Sequence, residues 1–189
     1  MRVSLLVCSL TLSILASANA QGPDGRESVS VYLTQQQALN KAFPKADTIY
    51  SETFIPTPSQ RKQIERRLGW RLAEPSFEIF QAKLKGQPLG YAIIAEQIGL
   101  YKPITFMVKA DIRGRNDGVW IMVYRESRGG EVKRQRFLTQ YKGKKATSPI
   151  RLNRDIIGVT GATLSVRALN GGVKKVLTVI DVAYPRNEE

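Results

Sequence analysis

The chain is predicted to fold as an α+β protein, with a mainly antiparallel sheet of at least four strands packed against helices. Three observations carry this expectation. The centre of the chain holds four apolar, extended-looking stretches joined by short turns, which suits antiparallel pairing. The alternation in "PITFMVKADI" (Pro103–Ile112) places Ile104, Phe106, Val108, Ala110 and Ile112 on one face of a strand. The last stretch, "LSVRALNGGVKKVLTVIDVAY", repeats Val166, Leu169, Val173, Val176, Leu177 and Ile180 at helical spacing, predicting a long C-terminal helix.

Taken in order, the elements start after a leader. "MRVSLLVCSLTLSILASANA" has one positive residue (Arg2), a short apolar run and small residues up to Ala18-Asn19-Ala20. This is the pattern of a secretory signal peptide over residues 1–20, and the apolar run is short for a bilayer span. Residues 21–30 are polar and bear Gly and Pro, as a flexible lead-in would. "TQQQALNKAF" predicts a short helix with Thr34 as N-cap, closed by Pro44. "ADTIYSETFI" is extended. "TPSQRKQIERRLG" predicts a helix capped by Thr57, with Pro58 in the first turn and Gly69 at its end.

Next, Phe77–Leu84 and Gly90–Gly99 flank "KGQP" as a hairpin, and Pro103–Ile112 and Gly118–Ser127 flank "RGRNDG" as a second. In the second, Asn116-Asp117-Gly118 is the turn signal. "VKRQRFLTQYKG" predicts a short helix ending at Gly143. Within the long C-terminal helix, Gly171-Gly172 weakens helix formation, which close packing onto the sheet would explain.

Composition limits the chemistry. The 189 residues include one cysteine, Cys8, and no histidine. Cys8 lies in the leader, so a processed chain would have no disulfide. Without His or Cys, the usual zinc sites, haem axial histidine, iron–sulfur ligation and a Ser-His-Asp triad are excluded, and no metal site is expected. Redox or group-transfer work would then need a bound organic cofactor. The formal net charge is +13. Its clusters are "RKQIERR" (Arg61–Arg67) and "KRQRFLTQYKGKK" (Lys133–Lys145). Export and the lack of an aromatic stacking platform weigh against nucleic acid. A solvated cationic face, or docking to an anionic partner, membrane surface or cofactor phosphate, all remain open.

One segment departs from ordinary packing. "GVTGATLS" (Gly158–Ser165) places Thr160 and Thr163 around Gly161-Ala162, just before the long helix. Either threonine could simply cap that helix. Free N–H groups at such a start also form an anion site, with no Cβ at Gly161 to obstruct a phosphate.

"TGATLS" resembles the S/T-G-A-T-x-T/S motif of the FMN-binding domain family, which includes flavin subunits of the sodium-pumping NADH:quinone reductase and of the Rnf complex. Two further stretches resemble family segments in the same order: "YRESRGGEV" (Tyr124–Val132) and "RFLTQYKGK" (Arg136–Lys144). The resemblance spans about Gly90 to Val182. It implies an FMN-binding domain over 77–184, preceded by a mainly helical segment over 21–76.

It also implies FMN joined through its phosphate to the last threonine of the motif, here Thr163, by a dedicated flavin transferase. Thr160, Gly161, Ala162, Leu164, Ser165, Glu126 and Ser127 would then surround the cofactor, with Arg125, Arg128 and Lys142 as candidate cations near the ring. The family's acid six positions before the threonine is replaced by Ile157, with Asp155 eight before, and Ser127-Arg128 replaces its usual Thr-Pro. The implied function is electron transfer between membrane or periplasmic partners, rather than catalysis on a small substrate. The protein would sit in the periplasm, free or membrane-associated. The contrasting expectation is a basic, cofactor-free module that docks an anionic partner.

Overall fold

The computed structural model describes residues 29–186. The expected leader, residues 1–20, lies outside the described residues. So does the lead-in up to residue 28, but Ser30 is not part of a loose segment: it starts strand β1 (Ser30–Val31) and pairs with Tyr124.

Among the described residues, six strands form one sheet in the order β1-β6-β5-β4-β3-β2, and every pairing in it is antiparallel. The others are β2 (Thr48–Phe54), β3 (Phe77–Leu84), β4 (Gln87–Ile98), β5 (Pro103–Ala110) and β6 (Asn116–Tyr124). The α-helices among the described residues are α1 (Gln35–Ala42), α2 (Pro58–Leu68), α3 (Gln135–Leu138) and α4 (Thr163–Ala183). The architecture is α+β, with the long helix last. Residues 29–76 contribute α1 and α2, and also β1 and β2 at the two edges of the same sheet.

The early helices form where capping predicts. Thr34 and Thr57 each close a capping box, with Gln37 and Gln60 respectively, and Gly69 ends α2 with φ 83°. Strand period 2 sorts the core into two layers. Ile79, Ile93, Ile104, Phe106, Val108 and Ile121 face α2 and α4, while Phe80, Ala82, Ala92, Met107 and Met122 face α1. Covering both faces explains why β5 reads as almost continuously apolar. α4 crosses β4 and β5. A Cβ built on Gly172 would lie 2.2 Å from Cζ of the fully buried Phe106, so the helix reaches the sheet only because that position lacks a side chain. Gly171 has open space instead.

Three local expectations need correction. Asn116-Asp117-Gly118 does not turn the chain; these residues begin β6, opposite Ala110 and Lys109. The turn closes earlier, because the Asp111 carboxylate accepts from the N–H groups of Arg113 and Arg115, both at 2.9 Å. β5 therefore ends at Ala110, and Ile112 is left exposed rather than on the shared face. In the first hairpin the turn is only Lys85-Gly86, both at positive φ, so β4 starts at Gln87. Finally, the single helix expected before Gly143 is split into a 3-10 turn (Gly130–Lys133), α3 and a second 3-10 turn (Thr139–Tyr141).

None of the described helices is long and apolar enough to cross a membrane.

Candidate functional site

At one end of the sheet the β4–β5 loop, the segment after β6 and the start of α4 meet. They enclose a cavity of about 370 Å³. Gly161, Ala162, Thr163, Leu164 and Ser165 form one wall, and Glu126, Ser127 and Arg128 a second. Leu100 and Tyr101 close the third. Of the eight residues expected to hold or surround the cofactor, seven thus converge here; Thr160 does not line the cavity.

The local backbone explains the difference between the two threonines. Ala162 N–H donates to the Val159 carbonyl at 3.0 Å, making Thr160-Gly161 the centre of a β-turn. Gly161 has φ 78° and Thr160 does not have a positive φ, which is the pattern of a type II turn. The N-cap of α4 is Ala162, which has no side-chain oxygen to offer, so neither threonine caps the helix. The first intrahelical bond runs from Val166 N–H to the Ala162 carbonyl at 2.9 Å. The N–H groups of Thr163, Leu164 and Ser165 therefore lack helical acceptors, and they point out of the positive end of a 21-residue helix.

Three hydroxyls lie near this start, and their surroundings differ. Ser165 is buried, and its Oγ lies 3.0 Å from the Tyr124 hydroxyl, which itself donates to the Arg128 carbonyl. With the phenolic proton so used, the Ser165 hydroxyl donates to Tyr124. Burial pushes the Tyr124 hydroxyl up, so it keeps its proton at neutral pH. This small chain of bonds ties the loop after β6 to α4. Thr160 is exposed but outside the cavity, whereas Thr163 is exposed and within its wall.

Glu126 works on the opposite wall. Its Oε1 accepts from Tyr101 N–H at 2.7 Å and from Lys102 N–H at 2.9 Å, so the carboxylate holds the β4–β5 loop in place. Burial opposes its charge, but the backbone donors of Lys102, Tyr101 and Leu100 prevail and keep the carboxyl below its ordinary value of 4.5. The third motif supports the site from behind. Gln140 brackets the backbone of Ile157, accepting from its N–H at 2.7 Å and donating to its carbonyl at 3.1 Å. Lys144 pairs with Asp155 at 2.8 Å, and Asp155 also accepts from Arg151 N–H at 2.7 Å and Ile150 N–H at 3.1 Å. Here too burial opposes ionisation, and Lys144 with those amides lowers the carboxyl below 3.8. Ile157, where the family carries an acid, is exposed at the surface.

Of the candidate cations, Arg128 lines the cavity. Arg125 is engaged on the sheet with the Pro103 carbonyl and Thr105, and Lys142 is exposed away from the cavity. Leu100 and Tyr101 went unnoticed in the sequence, where nothing marks a hairpin loop as part of a remote wall. Tyr101, 78% exposed, offers an aromatic face there.

Glu126 and Asp155 bind their protons more weakly in the folded chain than in the unfolded one. The stability they add is present above their ordinary values and is lost as the pH falls through the lower folded ones. Denaturant midpoints measured from about pH 6 to about pH 2 should therefore decline. The double variant Glu126→Gln, Asp155→Asn should be less stable by roughly 1–3 kcal/mol near neutrality and show a flatter acid decline. An unchanged acid slope would remove these carboxyls from the account.

An uncapped helix start, an exposed threonine and a small-molecule-sized cavity thus share one end of an α+β fold, an arrangement able to accept an anionic group. Residues 99–178 match the family model of the FMN-binding domain, and all three motifs lie within that stretch. That stretch of the chain is thus similar to an FMN-binding domain. Comparison with curated proteins gave no match.

Among solved structures, the chain resembles a subunit of the Na(+)-translocating NADH-quinone reductase from Parabacteroides distasonis. The TM-score is 0.53 at 14% identity, over 84% of this chain and 87% of that one. It also resembles NqrC from Shewanella oneidensis, with a TM-score of 0.52 at 13% identity, over 81% of this chain and 89% of that one. At these identities the likeness is one of fold.

Proposed function

We propose that this protein is an exported electron-transfer flavoprotein that carries FMN through a phosphoester to Thr163 and passes electrons between membrane or periplasmic partners. The observation that carries the reading is the convergence at the start of α4. Thr163, alone among the three hydroxyls, is both exposed and in the cavity wall, beside N–H donors that no side chain caps. A phosphate esterified to Thr163 Oγ1 would have its remaining oxygens within reach of those donors and the positive end of the helix. Gly161 leaves the approach open. Leu100, Tyr101 and Leu164 supply the apolar and aromatic surface on which a flat ring would rest, and Arg128 the nearby positive charge.

FMN, when bound, supplies one- and two-electron redox chemistry, which the side chains here do not. The chain's own part is to hold the phosphate, shape the ring's surroundings and keep the β4–β5 loop fixed through Glu126. Export supports a covalent link, since a reversible complex loses its cofactor by mass action where free cofactor is dilute. The leader pattern of residues 1–20 supports export to the periplasm, and a flavin transferase would be the maturation partner.

A purified sample from a host with a flavin transferase should stay yellow after dialysis and keep its colour in the denatured pellet. Colour lost on denaturation would contradict the link. A protein that never gains colour would favour the cofactor-free basic module instead.

A further inference from the structure

A second and larger cavity, of about 680 Å³, lies between the end of α2, the loop 147–154 and the flank of α4. Its charged lining is entirely cationic: Arg67, Arg151, Arg154, Arg167 and Lys174. Two of these are engaged. Arg67 pairs with Asp181 at 2.6 Å, and Lys174 donates to the carbonyls of Ala146 and Ser148 at 2.5 and 2.6 Å. Among the described residues, the guanidinium groups of Arg151, Arg154 and Arg167 have no hydrogen-bond or ion-pair partner. Three unpaired arginines around one concavity repel one another, and a single ligand with several negative charges would relieve that. Besides burial, Arg151 and Arg67 act to lower the Lys174 ammonium below its ordinary value, so the cations do sense each other.

The loop that presents two of the arginines is built with backbone strain. Ile150, a β-branched residue, has φ 48°, and Asn153 has φ 61°. Conformations of this kind persist where surrounding bonds impose them. Here the Asp155 carboxylate does so through the N–H groups of Ile150 and Arg151, and Arg154 N–H closes onto the Arg151 carbonyl at 3.2 Å. Arg167 enters from α4. It sits one helical turn beyond Thr163, but in the lining of a different cavity. Trp70, 44% exposed, adds an aromatic wall.

We propose that this cavity binds a small diphosphate-bearing ligand, with Arg151, Arg154 and Arg167 gripping the phosphates and Trp70 facing whatever planar group they carry. The planar forks of arginine match phosphate oxygens in pairs, which favours phosphate over a single carboxylate. The volume is that of a small-molecule site and the surface is concave, which favours a small ligand over an acidic protein face. The site does not depend on the flavin reading.

Titration calorimetry of the purified protein with pyrophosphate, and separately with ADP, at low salt tests it. Both should bind with one saturable site, ADP more tightly and with quenching of Trp70 fluorescence. The variant Arg151→Gln, Arg154→Gln, Arg167→Gln should weaken both by about a hundredfold or more, since each lost charge-assisted contact is worth about tenfold and the three need not add fully. A control that removes equal charge elsewhere, Lys41→Gln, Lys45→Gln, Lys85→Gln, should change little. The three arginines are exposed, so the fold should survive, and Arg154→Gln or Arg167→Gln alone should show part of the loss. Three results would overturn the proposal: binding retained in the arginine triple, which would put the anion elsewhere, such as at the start of α4; equal loss in both triples, which would make it bulk charge; or binding of an acidic peptide without either phosphate ligand.

Discussion

Thr163→Ala is expected to yield a folded protein with no denaturation-resistant flavin. Thr163 is the first residue of α4 and is exposed, so its methyl and hydroxyl add little to the core. Surface changes of this kind usually alter stability by less than about 0.5 kcal/mol. The loss of flavin, by contrast, should be complete, because a phosphoester needs an oxygen at that place and neither neighbouring hydroxyl can substitute. Ser165 is buried and donates to Tyr124, and Thr160 belongs to the preceding turn, outside the cavity. Absorbance of the denatured protein near the flavin band, beside an unchanged thermal midpoint, separates loss of the attachment point from loss of the fold. Flavin retained at wild-type level would move the attachment elsewhere.

The second large effect is a contrast between two adjacent glycines. Gly172→Ala should cost about 1–3 kcal/mol, whereas Gly171→Ala should add about 0.5–1 kcal/mol. Both substitutions gain helix propensity, so only the surroundings set the sign. A Cβ at Gly172 meets Phe106 Cζ at 2.2 Å and Gln97 Cγ at 2.9 Å, and Phe106 is fully buried under α4 with nowhere to move. At Gly171 the same atom meets nothing within 4 Å. Thermal or urea unfolding of the two variants decides the matter. Equal effects of the same sign would mean that α4 does not press on the sheet at this point.

Elements with a local code were legible from the chain alone. Thr34 and Thr57 with their glutamines three residues on, Gly69, and the apolar period of α4 each specify structure through neighbours in sequence, and the structure places them accordingly. Where a distant partner decides, sequence reading fell short. Asn116-Asp117-Gly118 carries a strong turn signal, yet Asp111 closes the turn first and Asn116 exchanges backbone bonds with Gly143 and Lys144. Ser165 lies 41 residues from Tyr124 in the chain, and no local signal marks the bond between their hydroxyls. Leu100 and Tyr101 join the cavity only because Glu126 draws their loop across the end of the sheet. The three motifs were readable, but their division of labour was not: Glu126, Gln140 and Lys144 bond to loops, and only the motif at the start of α4 offers an exposed threonine hydroxyl in the cavity.

The measurement that bears most directly on the account is peptide mass spectrometry of protein matured with a flavin transferase. Trypsin cleavage after Arg154 and Arg167 releases "DIIGVTGATLSVR", which holds Thr160, Thr163 and Ser165 together. A single FMN phosphoester is expected on this peptide, with fragment ions placing it on Thr163. A peptide without flavin, or fragments placing it on Thr160 or Ser165, would contradict it.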